Sequence, residues 1–253
     1  MDQPKKKIIV NKLKSDAHWH WMLKGFKTFR TSFIPSFAIG FAIVFVSWAI
    51  VGFLRLINFG TLIPAAVGGF VFIAPLLATS IYNLARITET EGNVSGFPKI
   101  VMQPYSKSQL GYIGFCLFFI IITWAIFTHL IWSMAVGLGR NVDEAQFLNF
   151  IFTTPSGLLV LFLGGSLAIF LGLICFGISA ISLPMAFDRD IDALTAMALS
   201  VKALIINPLP MLVWAFIIAT LVIISSIFFF VPFVIVFPWL GHATWCAYRQ
   251  LID

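Results

Sequence analysis

Asp188, Arg189, Asp190 and Asp192 fall within five residues of the stretch SLPMAFDRDIDALTAMALSVKALIINPLP (182–210), between two of the most apolar runs in the chain. Ionisable groups at membrane depth are costly, so they pair, line a path or dock a partner. Arg189 beside carboxylates has chemistry for this. Its planar fork suits a bidentate carboxylate, and its long stem can snorkel to headgroups. Asp188 and Asp192, at i and i+4, are expected on one helix face. The plainer alternative is that these acids open a helix whose dipole they complement, with Lys202 in its last part. That helix would carry the apolar stripe Ile191, Leu194, Ala198, Val201 and Ile205. Asp188, Arg189 and Asp192 are candidate functional residues on either reading.

Haem chemistry would need paired intramembrane His ligands, and His129 and His242 are the candidates. Their positions within their runs put them roughly 20 Å apart in depth, too far to share one iron. Each stands near a Trp (Trp132, Trp245), as interfacial residues do. The HWHW at 18–21 places His18 and His20 at i and i+2, on different helix faces. Cys116, Cys175 and Cys246 form no C-x-x-C and no Cys/His cluster. No metal and no cofactor is expected. A transport path would draw on Asn83, Thr123, Thr128, Ser166, Ser179 and Ser182, without a mid-membrane carboxylate as relay.

These residues must be positioned by membrane helices. Of 253 residues, 60% are hydrophobic and only 10% charged, against about 25% charged in soluble domains. Apolar runs fall at roughly 33–54, 61–83, 110–135, 156–183, 209–227 and 229–247, near the ~20 residues that cross ~30 Å of hydrocarbon. Residues 210–247 carry no charge, and as one straight helix they would measure ~57 Å. Two helices with a turn at Ser225-Ser226 fit better. The first run is too long for a signal-peptide core and is read as a span.

The net charge of +6 reports threading. Fourteen of the sixteen Lys and Arg fall on the side of the termini, leaving Arg55 and Arg140 opposite. That bias places both termini in the cytoplasm, with Asp143 and Glu144 in an outer loop. Nucleic acid is excluded as a partner. In residues 1–32, Trp19, Met22, Phe26, Phe29 and Phe33 recur at helical spacing opposite Asp16, His20, Lys24, Lys27 and Thr31. This describes a basic amphipathic helix lying in the cytoplasmic interface on anionic lipid headgroups. In the fourth run, Gly164, Ala168 and Gly172 recur every four residues. Such a small-xxx-small face packs helices closely, within the chain or across a homodimer.

An internal repeat links two further arginines. PLLATSIYNLAR (75–86) and PWLGHATWCAYR (238–249) share Pro, then Leu two residues on, then Arg86 or Arg249 eleven residues on. GFKTFRTSFIPSFAIGF (25–41) and SVKALIINPLPMLVWAF (200–216) align Lys27 with Lys202 and Pro35 with Pro210. The implied unit is an interfacial helix followed by a hairpin of two spans, repeated in parallel. Arg86, Arg249 and His242 join the functional candidates.

SLPMAFDRDIDALTAMALSVKALIINPLPMLVWA (182–215) and FPWLGHATWCAYRQLI (237–252), with weaker agreement in IAPLLATSIYNLAR (73–86) and the basic, Trp-containing N-terminus, resemble a family of uncharacterised multi-pass proteins of bacterial inner membranes. The resemblance implies a six-span domain of unknown function, some of whose members carry a cytochrome oxidase subunit I-like label. The family tends to have a second His after the Trp of GHATW, where this chain has Cys246. That departure weakens any metal role for the stretch.

The expected fold is an all-α polytopic bundle: a basic segment over 1–32 and six spans over 33–253, arranged as three hairpins with cytoplasmic interfacial helices. The expected function is that of a non-enzymatic accessory or interaction protein, alone, as a homodimer or in a membrane complex. The alternatives are a small-solute transporter or channel and a haem- or redox-associated respiratory accessory protein.

Overall fold

The computed structural model describes residues 8–92, 104–137 and 144–253. Lys5, Lys6, Lys7, Lys99, Arg140 and Asp143, which enter the charge balance above, lie outside the described residues. Among those described, the chain is helical: α1 (Ala17–Thr31), α2 (Phe33–Leu56), a 3-10 turn (Gly60–Leu62), α3 (Ile63–Leu77), α4 (Thr79–Glu91), α5 (Lys107–Val136), α6 (Glu144–Thr153), α7 (Pro155–Ser179), α8 (Ser182–Asp188), α9 (Ala193–Ile206), α10 (Pro208–Ile227) and α11 (Phe233–Leu251).

Among the described residues, five segments have the length and apolarity to cross a membrane: Phe33–Leu56, Ile63–Glu91, Lys107–Val136, Pro155–Asp188 and Pro208–Ile227. A helix satisfies its own backbone, which is why hydrocarbon tolerates it. Between Ile227 and Phe233 the chain reverses tightly, with Phe229 and Phe230 at φ 53° and 65°. The reversal therefore lies beyond Ser225-Ser226, which remain in α10 and donate to Leu221 and Val222 carbonyls.

The sixth long helix, α11, is of a different kind. Its 19 residues reach about 28 Å, long enough to cross. It includes His242, Thr244, Trp245, Tyr248 and Arg249, and every residue from Gly241 to Tyr248 is buried. Helices α1, α2 and α4 pack against it. A helix shielded by protein does not need an apolar surface all round.

Its neighbours approach through small residues. A Cβ on Gly25 of α1 would stand 2.5 Å from the Ala243 Cα, and one on Gly40 of α2 would strike the Val234 carbonyl. Helix α1 thus turns Ala17, His18, Trp21, Gly25 and Phe29 inward. Of the expected apolar stripe, Trp19, Phe26 and Phe33 stay substantially exposed, whereas Phe29 is buried against protein. Helix α9 also leaves large stripe residues uncovered. Ala193, Ala196, Ser200 and Ala203 are buried, whereas Leu194 and Ile205 of the expected stripe point outward. Helix α9 thus puts small residues toward protein, whereas α1 buries Trp21 and Phe29 beside Ala17 and Gly25.

The two approach segments match in detail. Ser32 ends α1 at φ −114°, ψ 42°, and its aligned partner Asn207 ends α9 at φ −124°, ψ 56°. Each break is buried and precedes a long apolar helix. At two other aligned pairs, Gly25 with Ser200 and Pro35 with Pro210, both residues are buried.

The small-residue face of α7 behaves otherwise. A Cβ on Gly164 or Gly172 would meet nothing within 4 Å. Ala168 is only partly covered. Among the described residues the tight crossing expected there is not made. The close approaches belong instead to Gly25, Gly40, Gly68, Gly157 and Gly241.

Candidate functional site

One end of the bundle gathers most of the charge. Helix α8 closes at Asp188, and Arg189 follows in extended conformation. Asp192 then caps α9, its carboxylate accepting from the Thr195 amide at 2.9 Å. The helical break between them corrects the expected shared face of Asp188 and Asp192. Asp188 turns toward α11 and Asp192 serves its own helix. Asp190 is exposed. Helix α9 starts at this cluster as expected, but its acidic opening is the Asp192 cap alone.

The Asp188 carboxylate accepts from the Tyr248 hydroxyl at 2.8 Å and from Arg249 Nη1 at 3.1 Å. Its side chain is only 10% exposed, so both donors offset a substantial loss of hydration. Arg249 also reaches Glu89 at the end of α4, Nε to Oε2 at 3.0 Å. Trp245 donates its indole N–H to the same oxygen at 3.2 Å. The Arg249 guanidinium lies 5.1 Å above the Trp245 ring. Arg249 therefore joins the ends of α4 and α8 through α11.

Arg189 does not make the bidentate carboxylate pair its fork would allow. Its Nε donates to the Tyr248 hydroxyl at 2.9 Å and stands 3.9 Å from Asp188. Its terminal nitrogens donate to the carbonyls of Asp253 and Ile252 at 3.0 and 3.4 Å. The Tyr248 hydroxyl thus receives from Arg189 and gives to Asp188. The fork holds the segment that follows α11, whose carbonyls have no helical partner.

That segment is fastened from the other side too. Val10 and Ile252 form an antiparallel bridge. The Asn207 side chain accepts from the Leu13 amide at 2.7 Å and donates to the Asn11 carbonyl at 2.9 Å. Trp21 Nε1 donates to Gln250 Oε1 at 2.6 Å. The break between α9 and α10, the N-terminal strand-like segment and the tail of α11 thereby form one joint.

The repeated segments PLLATSIYNLAR and PWLGHATWCAYR pack against each other. Gly241 abuts Ile81, 2.7 Å from a built Cβ. Tyr82 and Trp245, in the same register, stack at 6.4 Å and 28°. Both repeat arginines reach the end of α8. Arg86 donates to the Phe187 carbonyl at 3.4 Å and lies 4.9 Å over its ring. Arg249 takes the next residue, Asp188.

His242 stands apart from this cluster. It is fully buried in α11, with Nε2 2.9 Å from the Ser36 hydroxyl and 3.4 Å from Ser32. The interfacial position expected for it is therefore corrected: small hydroxyl residues at the α1–α2 break make room for an internal imidazole. His129 is exposed on α5. Among the described residues no three His, Cys, Asp or Glu converge as metal ligands.

Asp188, Arg189, Arg249 and Arg86 are brought to one place; Asp192 borders it; His242, Gly164, Ala168 and Gly172 lie elsewhere. Sequence reasoning missed Tyr248, Glu89 and Trp245. Glu89 carried a signal, being a rare acid three residues after Arg86. Tyr248 carried none, because its aligned position in the repeat is Ala85.

Neither the curated proteins nor the solved structures offer a match to the chain. Residues 62–188 match DUF2189, described as a predicted integral membrane protein. The match runs from the turn before α3 to Asp188. It includes PLLATSIYNLAR and the start of SLPMAFDRD, and it ends before the two stretches that carried most of the sequence resemblance. An integral membrane bundle whose matched half closes on the carboxylate of the charged joint belongs to the DUF2189 family.

Proposed function

We propose that the chain is a six-span protein of a bacterial inner membrane, with α11 as the sixth span and both termini in the cytoplasm. It acts as a non-enzymatic accessory or interaction component of that membrane. The carrying observation is the charged joint itself. Asp188, Arg189, Tyr248, Arg249, Glu89 and Trp245 are engaged with one another or with the tail's carbonyls. Such a set fixes helix ends in a defined arrangement, as a scaffold does. Among the described residues every Lys and Arg except Arg55 belongs to the half of the structure that holds this joint, which supports a cytoplasmic placement. The large apolar residues that α1 and α9 turn outward leave surface for lipid or for a membrane partner.

Topology is tested by reporter fusions. Fusions after Ile57 and after Phe229 should be active only outside, and fusions before Asn11 or after Gln250 only inside. Activity of the Gln250 fusion on the outer side would remove α11 from the membrane-crossing set. Function is tested on protein extracted mildly from native membranes. A stoichiometric membrane partner, or a self-associated form, supports the accessory role. Solute-dependent thermal stabilisation without a partner favours transport instead, the buried His242–Ser36–Ser32 group being its polar lining. A Soret band in the purified protein favours the haem-associated role.

A further inference from the structure

Beside the joint, between α1, α4 and α11, lies a cleft of about 610 Å³ whose walls include Lys24, Lys27, Arg249, Glu89, Trp245 and Leu23. Glu89 is engaged with Arg249 and Trp245, and Arg249 is shared with Asp188. Lys24 and Lys27, three residues apart on α1, point into the same cleft. Among the described residues neither pairs with a carboxylate. The cleft therefore has two uncompensated ammonium groups, while its acid is already neutralised. Along α1 the lining continues into a second, shallower depression that shares Leu23 and Lys27 and adds Phe26 and Arg30. Leu23 is 74% exposed and Phe26 41%. A cationic recess thus opens onto an uncovered apolar rim within a few residues.

A soluble anion would use the ammonium groups and leave that rim in water. An anionic phospholipid uses both. We infer that this cleft is a specific site for an anionic phospholipid, with Lys24 and Lys27 on the phosphodiester oxygens and an acyl chain laid over Leu23 and Phe26. The shared chemistry with a soluble ligand is the phosphate; the rim assigns the source to the bilayer. A lipid whose headgroup carries no compensating cation matches the unpaired charge of the recess. The inference needs the chain to be in a membrane, which its family shows, and is independent of the accessory role.

The test is thermal unfolding of the purified protein in maltoside micelles doped separately with phosphatidylglycerol and phosphatidylcholine. Inorganic phosphate and glycerol phosphate serve as soluble probes. Phosphatidylglycerol at saturation should raise Tm by roughly 5 °C, and the other three should not. In Lys24→Gln/Lys27→Gln the apparent affinity for phosphatidylglycerol should fall roughly 30-fold. Lys12→Gln/Lys14→Gln, which removes equal charge from exposed positions outside the cleft, should keep the full response. Lys27→Gln alone, with roughly a fivefold loss, provides the reading if the double variant does not fold. An undiminished response in the cleft variants, or an equal loss in the control pair, would mean diffuse attraction and overturn the site. A shift reproduced by inorganic phosphate or glycerol phosphate would overturn the lipid assignment. These outcomes leave the search for a protein partner untouched.

Discussion

Helices α7 and α11 trade places between sequence and fold. The segment Pro155–Asp188 has the highest mean hydropathy of the candidate spans, 2.6, and only 11% of its most apolar window is buried. Helix α11 carries a His, an Arg and two hydroxyls, yet it is buried along most of its length. Lipid and protein solvate helices differently. Lipid accepts only apolar side chains, whereas a protein neighbour rewards close approach and paired polar groups. Apolarity in this chain therefore reports contact with hydrocarbon, not centrality. Glycine divides too: Gly25 and Gly40 mark backbone contact on α1 and α2, whereas Gly164 and Gly172 mark open surface on α7.

The comparison breaks most readily at the α2–α11 crossing. Gly40→Ala puts a methyl group against the Val234 carbonyl, and backbone on backbone cannot yield cheaply. A loss of about 3 kcal/mol is expected, at the upper end for overpacking, read as reduced Tm and yield in detergent. If Gly40→Ala melts like the parent, α11 is not held as described.

The next largest effect tests how the lipid-facing helix is fastened to the buried one. Helix α7 continues into α8, whose Asp188 meets Tyr248 and Arg249. Asp188→Ala should cost about 2 kcal/mol, between the values for buried and exposed pairs. Arg189→Ala should approach this, since it frees both the Tyr248 hydroxyl and the tail carbonyls. Arg189→Lys should recover only part, because one ammonium cannot reach all three acceptors. Asp190→Ala should stay within about 0.5 kcal/mol. Equal melting of all four variants would reduce the joint to a marker of the water boundary.

The smallest effect is the sharpest on α7. Gly164→Leu and Gly172→Leu should change monomer stability by no more than about 0.5 kcal/mol, since nothing stands within 4 Å of either Cβ. If cross-linking detects a dimer in the parent that these variants lose, the open face is a seam between copies. If their monomers melt early, the face is covered within the chain.

Membrane class and most helix positions were legible because hydrocarbon imposes long apolar runs. Four charged members of the joint were legible because charge is rare in such a chain. Their partners were not. Tyr248 and Trp245 resemble ordinary interfacial aromatics, and nothing local distinguishes a hydroxyl that bridges Asp188 and Arg189. The inward faces of α1 and α9 were not legible for a related reason. Ranking residues by size and apolarity selects Trp19 or Leu194, but helix-to-helix contact selected Gly25 and Ala196. The α7 stripe failed in the opposite direction, since small residues permit close packing without supplying a neighbour.

One consequence concerns biogenesis. Synthesis proceeds from the N-terminus, so α1 and α2 leave the ribosome with Gly25, Ser36 and Gly40 ready for a partner more than 190 residues downstream. Until α11 arrives, that surface has only lipid or a helper protein to face, and Arg189 has no tail to grip. The first helices made are thus among the last to find their native neighbours, and a chain interrupted before Phe233 would leave five apolar spans in the bilayer around an unfilled centre.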